Sequence, residues 1–365
     1  MTRTFTGHCI ASYAFEVGRD LDLERAASIA QVGERQSVRV RNRVPRHFDY
    51  RPPPLQLQEP GPNLTVGGFP TGGVGIVLYD FGAMAINYSI PFEADLPALV
   101  RLSSELEASS LLLDDARQRV DRLVTGLSGA ISRPLVAPLV EDYFIFELAP
   151  GDGAGPAPGE SLLEAAGPLA ARILRNALEP LSDEEIADAL RVRFSFGRRD
   201  VTIIDWNAAI VLDAEPEDVR VLLEFANVQL LQLRYLDQEL DQAVDDAYEL
   251  LAAAERGGLR GLRPPSAAFR RLGELQMDGA VLFERVSNAL KLVGDQFLSR
   301  VYGGVSERFH FGAWDRAIAR KLEVIDGVYQ KLSDRVMGRR LEVLEWIVII
   351  LIAVEVVLGL LGGFG

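Results

Sequence analysis

The last twenty residues constrain this chain most, because they are almost wholly aliphatic. From Ile347 to Leu361, twelve of the fifteen residues are Ile, Leu or Val. A helix over Trp346 to Phe364 would be roughly 29 Å long at about 1.5 Å per residue, which matches a bilayer's hydrocarbon thickness. Transfer of these side chains into lipid, at about −0.3 to −0.6 kcal/mol each, outweighs about 3 kcal/mol for the one acid, Glu355. We therefore predict a transmembrane anchor over residues 341–361, with a buried helix of a soluble domain as the alternative.

Basic residues lie on only one side of this segment, which predicts its orientation. Arg339 and Arg340 close a basic stretch just before it, and no Lys or Arg follows. Because positive charge stays on the cytoplasmic side, the body of the chain would face the cytoplasm. Trp346 would lie at headgroup level, and Glu345 would face water or pair with an arginine. Met1 to Ile10 lacks the apolar region of a signal peptide, so we expect a single-pass protein of a bacterial inner membrane.

Charge and cysteine content limit the partners. The net charge of −14 argues against a general nucleic-acid binder, and we expect no specific DNA binding. Cys9 is the only cysteine, so no disulfide framework exists and a reducing compartment fits. One basic segment can still dock RNA or anionic lipid headgroups, or be plain solvated surface. The candidate contacts in it are Arg35, Arg39, Arg41, Arg43 and Arg46.

The sequence pattern of residues 1–215 predicts a mixed α/β domain. Apolar runs with turn residues between them indicate strands and two hairpins, and apolar spacings of three and four indicate helices. Residues 45–73 are a Pro/Gly-rich connection and residues 149–160 a flexible loop. Asp20 is placed to cap the first helix. The predicted strands are His8–Val17, Val74–Tyr79, Ala83–Tyr88, Asp142–Leu148, Val201–Ile204 and Ala208–Leu212, and the predicted helices Leu21–Val32, Leu96–Leu106 and Leu162–Leu178.

The apolar spacing within residues 216–338 predicts an α-helical stalk. Apolar residues from Val219 to Ala254 alternate spacings of three and four, which is typical of a coiled-coil-like seam. A second helix is expected from Ala267 to about Arg300, with Gly303-Gly304 as an interruption. The register of a third helix continues into the apolar end, so stalk and anchor would be one helix. Such seams need a partner, either in an intramolecular hairpin or in a homo-oligomer.

Several short pieces of the chain follow one another in a characteristic order. They are Cys9-Ile10-Ala11, Gly75 to Gly82, Leu223 to Asn227, Leu233 to Asp237, and Leu344 to Ile352 with Glu355. The most specific piece is the last, a Leu-Glu-Trp followed by an aliphatic span with one Glu. In this order the pieces resemble the required-for-meiotic-nuclear-division family of membrane proteins. The resemblance implies an α/β domain, a helical stalk and one C-terminal span, and homo-oligomers that hold ribosomes near the inner membrane in support of translation.

The residues needed for catalysis or metal binding are scarce. A transition-metal site or a Ser-His or Cys-His pair needs several His or Cys side chains close together. The glycines from Gly67 to Gly75 precede a strand instead of opening a helix, unlike a phosphate-binding loop. We expect no catalytic residue, no cofactor and no metal. His8, His47, His310 and Cys9 are all the His and Cys side chains of the chain.

Glu355 is the sharpest single candidate, because a carboxylate at mid-bilayer depth usually faces other helices or a cavity. It would join helices through hydrogen bonds or line an ion path. The main hypothesis is a non-enzymatic, membrane-anchored, homo-oligomeric scaffold that binds a large partner such as the ribosome. The alternative is an ion channel or transporter component with a cytoplasmic funnel, although the Gly-Met-Asn signature of magnesium channels is absent.

Overall fold

The computed structural model describes residues 4–32, 39–41, 52–149, 158–256, 273 and 295–362. The chain divides into two compact units. The first comprises Met1–Tyr235 and Arg285–Trp314, and the second Leu236–Glu284 and Asp315–Gly365. The predicted boundary between residues 215 and 216 marks the start of a long helix, whereas the units divide further along that helix.

Strands β1 to β13 are short apart from three that form the centre of a sheet. Their bounds are β1 Thr4–Glu16, β2 Asp20–Leu21, β3 Arg39–Arg41, β4 Leu55–Glu59, β5 Thr65–Val66, β6 Phe69–Pro70, β7 Val74–Leu78, β8 Ala83–Asp95, β9 Ile131–Ser132, β10 Val140–Leu148, β11 Arg193–Phe194, β12 Val201–Ile204 and β13 Ala208–Leu212. In the described part of the chain, nine of them form one sheet in the order β11-β12-β13-β10-β1-β8-β7-β4-β3. Its neighbours pair antiparallel except β10 with β13.

The described helices are of two kinds, short ones that cover the sheet and two very long ones. Asp95 caps α2 in the expected way, because its carboxylate accepts a hydrogen bond from the Ala98 N–H at 3.0 Å. The bounds are α1 Leu23–Val32, α2 Leu96–Ala108, α3 Leu111–Gly126, α4 Pro158–Leu174, α5 Asp183–Ala189, α6 Glu217–Arg256, α7 Gln296–Arg308 and α8 Phe311–Gly362.

The two faces of the sheet differ in polarity because side chains alternate along each strand. On β1, Cys9, Ala11, Tyr13 and Phe15 belong to an apolar core that also contains residues of α2, α3 and α4. The intervening residues of β1 lie on the opposite face, where Gln232 of α6 bonds Glu16. One face therefore supplies the hydrophobic core, and the other carries buried polar groups.

Most predicted elements are confirmed. The hairpin of β7 and β8 turns at Gly82, whose φ of +84° favours glycine. The hairpin of β12 and β13, the 40-residue helix α6 and one continuous C-terminal helix are also present. Because β7 begins at Val74, the preceding glycines lead into a strand, as the sequence predicts.

Three predicted details are wrong. Asp20 lies in β2, and it is Asp22 that caps α1 by accepting from the Arg25 N–H at 3.0 Å. The predicted 45–73 connection contains β4, which adds to the sheet beside β7. Helix α7 continues through Gly303 and Gly304 without interruption. Residue 304 is glycine because a side chain there would collide with the ring of Phe194. The predicted helix from Ala267 to about Arg300 is described only at residue 273 and from residue 295, with α7 beginning at Gln296. Residues 150–157 of the predicted loop lie outside the described residues.

The predicted transmembrane helix is not supported by the structure. Among the described residues, no helix is long and apolar enough to cross a bilayer. The apolar part of α8 whose side chains are described, residues 346–354, spans about 14 Å, whereas a bilayer core is about 30 Å thick.

Candidate functional site: a polar cleft between the sheet and helix α6

Helix α6 presents a polar stripe to the sheet within the first compact unit. Arg220, Glu224 and Asn227 are spaced by four and three residues, so they share one side of the helix. Glu224 and Asn227 are 7% and 1% exposed, so both are buried, whereas Arg220 is partly exposed. An unpaired buried polar group costs about 1–3 kcal/mol, so these groups need partners across the interface. The buried polar residues of the facing strands are Ser12, Glu16, Asn87, Glu141 and Glu147.

Arg220 is the centre of the first cluster. Its Nη1 lies 2.9 and 3.2 Å from the two carboxylate oxygens of Glu147. Glu224 and Glu217 approach the same guanidinium at 3.7 and 3.8 Å. Burial raises the pKa of Glu224 to about 7, although Arg220 acts in the opposite direction, and burial also raises the pKa of Glu147.

Three further contacts hold α6 to the sheet. Arg234 lies 2.5 Å from the Glu141 carboxylate, and Asn227 donates to the Glu141 carbonyl at 3.1 Å. Gln232 donates to the carboxylate of Glu16. Burial raises the pKa of Glu141 to about 7 against the opposing effect of Arg234. Polar pairs therefore fix the position of this helix along the strands.

A cleft of about 320 Å³ opens where the start of α6 lies over β4, β7 and β8. This volume is at the lower end of the range for small-molecule sites in proteins. Its polar lining mixes amides, a hydroxyl, carboxylates and one guanidinium. These groups belong to Gln56, Gln58, Asn87, Ser89, Glu217, Arg220 and Glu224.

The floor of the cleft is a row of residues on three neighbouring strands, Gln58 of β4, Gly75 of β7 and Asn87 of β8. Ser12 of β1 continues this row beside Asn87 but does not line the cleft. Gly75 has no side chain, so a gap separates Gln58 from Asn87. The Asn87 Oδ1 and Ser12 Oγ atoms are buried and have no hydrogen-bond partner among the described residues.

A second polar cluster surrounds Asp205 in the turn between β12 and β13. Its fully buried carboxylate accepts from Arg308 Nε at 2.5 Å and lies 2.6 Å from Arg175 Nε. Both arginines also reach Asp188, at 2.8 and 2.5 Å. The hydrogen bond from Arg308 helps to lower the pKa of Asp188 to about 2. Every side chain in this cluster is charge-paired, which indicates a structural role.

The membrane-facing residues predicted from the sequence all lie on α8. Glu345 and Trp346 are exposed, and the side chains of Arg339, Arg340 and Glu355 lie outside the described part. Of the basic candidates, Arg39 and Arg41 belong to β3 at one edge of the sheet. Arg35, Arg43 and Arg46 lie outside the described residues.

Acidic residues on the second half of α6 have a simple partner. Lys321 of α8 lies 2.7 Å from Asp237 and 2.6 Å from Asp241. Within the described residues, no group of three or more His, Cys, Asp or Glu side chains is arranged to hold a metal ion. The seam residues Leu240, Ala243 and Ala247 are buried within the single chain, which favours the intramolecular alternative for this part of the seam.

Sequence reasoning missed the cleft because its residues come from distant parts of the chain. One local signal was available: Glu224 interrupts the apolar run from Val221 to Ala226. A charged residue in such a run indicates a buried partner. Asn87 gave a similar signal within the apolar strand β8.

These features define a mixed α/β protein, in which helices cover both faces of a large sheet and one face is polar. The chain belongs to the family of the N-terminal domain of the uncharacterized protein MJ0711, which matches residues 6–218. It is 26% identical over 192 residues to the uncharacterized protein MJ0711 of Methanocaldococcus jannaschii. That match covers 52% of this chain and 58% of the relative, so less than two thirds of the relative's length is spanned. No solved structure matches the chain.

We predict that the first unit becomes less stable as the pH rises from about 5 to about 8. The native pKa values of Glu141 and Glu224, both about 7, exceed the ordinary value, so the native state binds more protons in this range. Each group then lowers the free energy of unfolding by on the order of 2 kcal/mol at pH 8. Denaturant titrations of the wild type and Glu224→Gln across this range measure the effect. Glu224→Gln should flatten the pH slope and Asp121→Asn, on exposed α3 surface, should not; equal slopes in all three would contradict the assignment.

Proposed function

We propose that this chain is a membrane-anchored, non-enzymatic scaffold, held at the bilayer by the apolar end of α8. One observation carries the proposal: every described side chain from Trp346 to Val354 is exposed. Trp346 is 65% exposed and Leu351 63%. The sequence continues this aliphatic run to Leu361.

An exposed aliphatic run of this length is unfavourable in water. Contiguous exposed apolar surface on a soluble protein usually marks a partner or membrane surface. The apolar side chains of this run lie on all sides of the helix, and a bilayer covers all sides at once. Arg339 and Arg340, which precede the run, are placed to meet anionic headgroups.

The scaffold part of the proposal rests on the long helices and the sequence resemblance. Helices α6 and α8 contain 40 and 52 residues, which corresponds to roughly 60 and 78 Å. Both helices are much longer than the longest described strands, which have 13 residues. We propose that they present the α/β unit to a large partner, and that the partner is the ribosome. Homo-oligomerisation, the shared role with the required-for-meiotic-nuclear-division family and the bacterial inner-membrane location stay predictions.

Replacing Arg39, Arg41 and Arg43 with Glu tests the ribosome contact. We expect the full chain, purified in mild detergent from its own membranes, to carry ribosomal RNA, and the variant to carry about tenfold less. Each reversal removes an RNA phosphate contact and adds repulsion. Quantification of co-eluting ribosomal RNA measures the difference.

The matched control reverses three exposed arginines elsewhere in the first unit, Arg101, Arg193 and Arg198. It changes net charge equally, so it should keep the wild-type amount of RNA if the basic segment is the contact. If both variants lose the same amount of ribosomal RNA, net charge alone explains the effect and the basic segment is not a specific contact. If all three preparations contain no ribosomal RNA, the ribosome is not the partner. The proposed membrane anchor would be unaffected by that result.

A further inference from the structure

Gly75 of β7 and Gly73, which directly precedes that strand, have no backbone or packing reason to be glycine. Neither Gly73 nor Gly75 has the positive φ that favours this residue. A Cβ at Gly75 would lie 3.8 Å from its nearest neighbour, the Asn87 Cβ, and one at Gly73 would lie 3.8 Å from the Glu59 carbonyl oxygen. Both are ordinary contact distances, so larger residues fit the strand. What glycine provides here is the open floor of the cleft.

The hydrogen-bond acceptor beside this floor is oriented and unused. The Asn87 amide bonds to the Glu224 carboxylate, which requires its N–H₂ group to point there. The Oδ1 atom is then the other end of the amide, and it has no hydrogen-bond partner among the described residues. Asn87 is only 8% exposed and lines the cleft. A buried acceptor in this position favours a ligand that donates hydrogen bonds.

The charge around the cleft favours a cation. Glu217 and Glu224 line it, and Glu147 lies directly behind Arg220. The one guanidinium is shared by these three carboxylates, at distances from 2.9 to 3.8 Å. An anion entering the cleft would meet excess negative charge, whereas a cation would be stabilised by it.

We infer that the cleft binds a small organic cation through its ammonium group. The ammonium donates hydrogen bonds to the Asn87 Oδ1 and to the Glu224 carboxylate. Its carbon chain lies over Gly75, alongside Val77 and Val221, which also line the cleft. This site is separate from the proposed membrane anchor, since its residues all belong to the first compact unit.

Calorimetric titration of the full chain in mild detergent tests the inference, with putrescine and n-butylammonium as probes. We expect saturable binding of at least one of them. Tetramethylammonium has the same charge as n-butylammonium but no N–H donor. It should therefore bind at least about tenfold more weakly than the amines. Inorganic phosphate should not bind. No saturable binding of either amine, or equal binding of tetramethylammonium, would overturn the inference.

Filling the floor of the cleft provides the matched variants. Gly75→Val and Gly73→Val should each weaken amine binding about tenfold or more while the thermal midpoint stays within a few degrees. Gly126→Val is the control, since nothing lies within 4 Å of a Cβ there and Gly126 does not line the cleft. If a folded Gly75→Val or Gly73→Val variant binds the amine as tightly as the wild type, the ligand does not bind in this cleft. Two floor variants are used so that one unfolded protein does not end the test.

The pH dependence of binding gives an independent readout. Glu224 is faced by Arg220 and Glu217 on α6, Glu147 on β10, Asn87 on β8 and Tyr79 after β7. Its pKa of about 7 means that it ionises between pH 6 and pH 8. Amine affinity should therefore rise several-fold over this interval. Glu224→Gln should abolish this rise, and a rise of the same size in that variant would remove Glu224 from the site.

Discussion

Replacing Asp205 with Ala is expected to lower the free energy of unfolding of the first unit by about 3–5 kcal/mol, because it leaves buried cations without their partner. Arg308 is 8% exposed and keeps only Asp188 among the partners described for it. Arg175 loses its contact at 2.6 Å. The turn that carries Asp205 also loses the hydrogen bond that the Trp206 N–H donates to the Asp205 carboxylate.

Denaturant titration followed by tryptophan fluorescence measures this effect. Trp206 is a suitable reporter, because it adjoins Asp205 and packs against Phe309 with ring centroids 6.0 Å apart. Asp121→Ala, on exposed α3 surface, is the control and should stay within about 0.5 kcal/mol of the wild type. A loss under about 1 kcal/mol for Asp205→Ala would show that the cluster is not the structural support described above.

The second large effect is expected at the apolar end of α8. Replacing Val348 and Ile352 together with Asp should release the chain from membranes. Each change replaces a residue that favours lipid by about 0.3–0.6 kcal/mol with one that disfavours it by about 3 kcal/mol, so the pair changes insertion by about 7 kcal/mol. The fraction of protein that stays with membranes after an alkaline carbonate wash measures the effect.

Two controls separate lipid insertion from charge alone. Leu at both positions keeps the apolar character and should leave the membrane fraction unchanged. Asp at the exposed α3 positions Gln118 and Thr125 adds the same net charge away from α8 and should also change nothing. Membrane retention of the Val348→Asp, Ile352→Asp variant would mean that another part of the chain holds the bilayer.

The sequence predicted the elements whose signals are local. Helix α6 follows from its regular apolar spacing, and the β7–β8 hairpin from its turn at Gly82. Strand β4 was missed because it is a half-buried strand of five residues beside a Pro-rich stretch and has no turn partner next to it in the sequence. Gly304 was read as a helix breaker, although close packing against Phe194 requires glycine there.

The cleft could not be predicted, because it depends on strand register and on which face α6 covers. Gly75 and Asn87 become neighbours only through the β7–β8 pairing, and Glu224 joins them from far along the chain. In contrast, the apolar end of the chain is a local property of the sequence. Its helical continuity is confirmed by α8, and its insertion into a bilayer stays a prediction.

Flotation with liposomes tests directly whether the apolar end of α8 holds this chain at a membrane. The full chain and a variant ending at Glu345 are mixed with lipid in detergent, the detergent is removed, and both are centrifuged through a density gradient after a carbonate wash. We expect the full chain to float with the lipid and the shortened chain to stay at the bottom. A full chain that stays at the bottom, or a shortened chain that floats equally well, would contradict it.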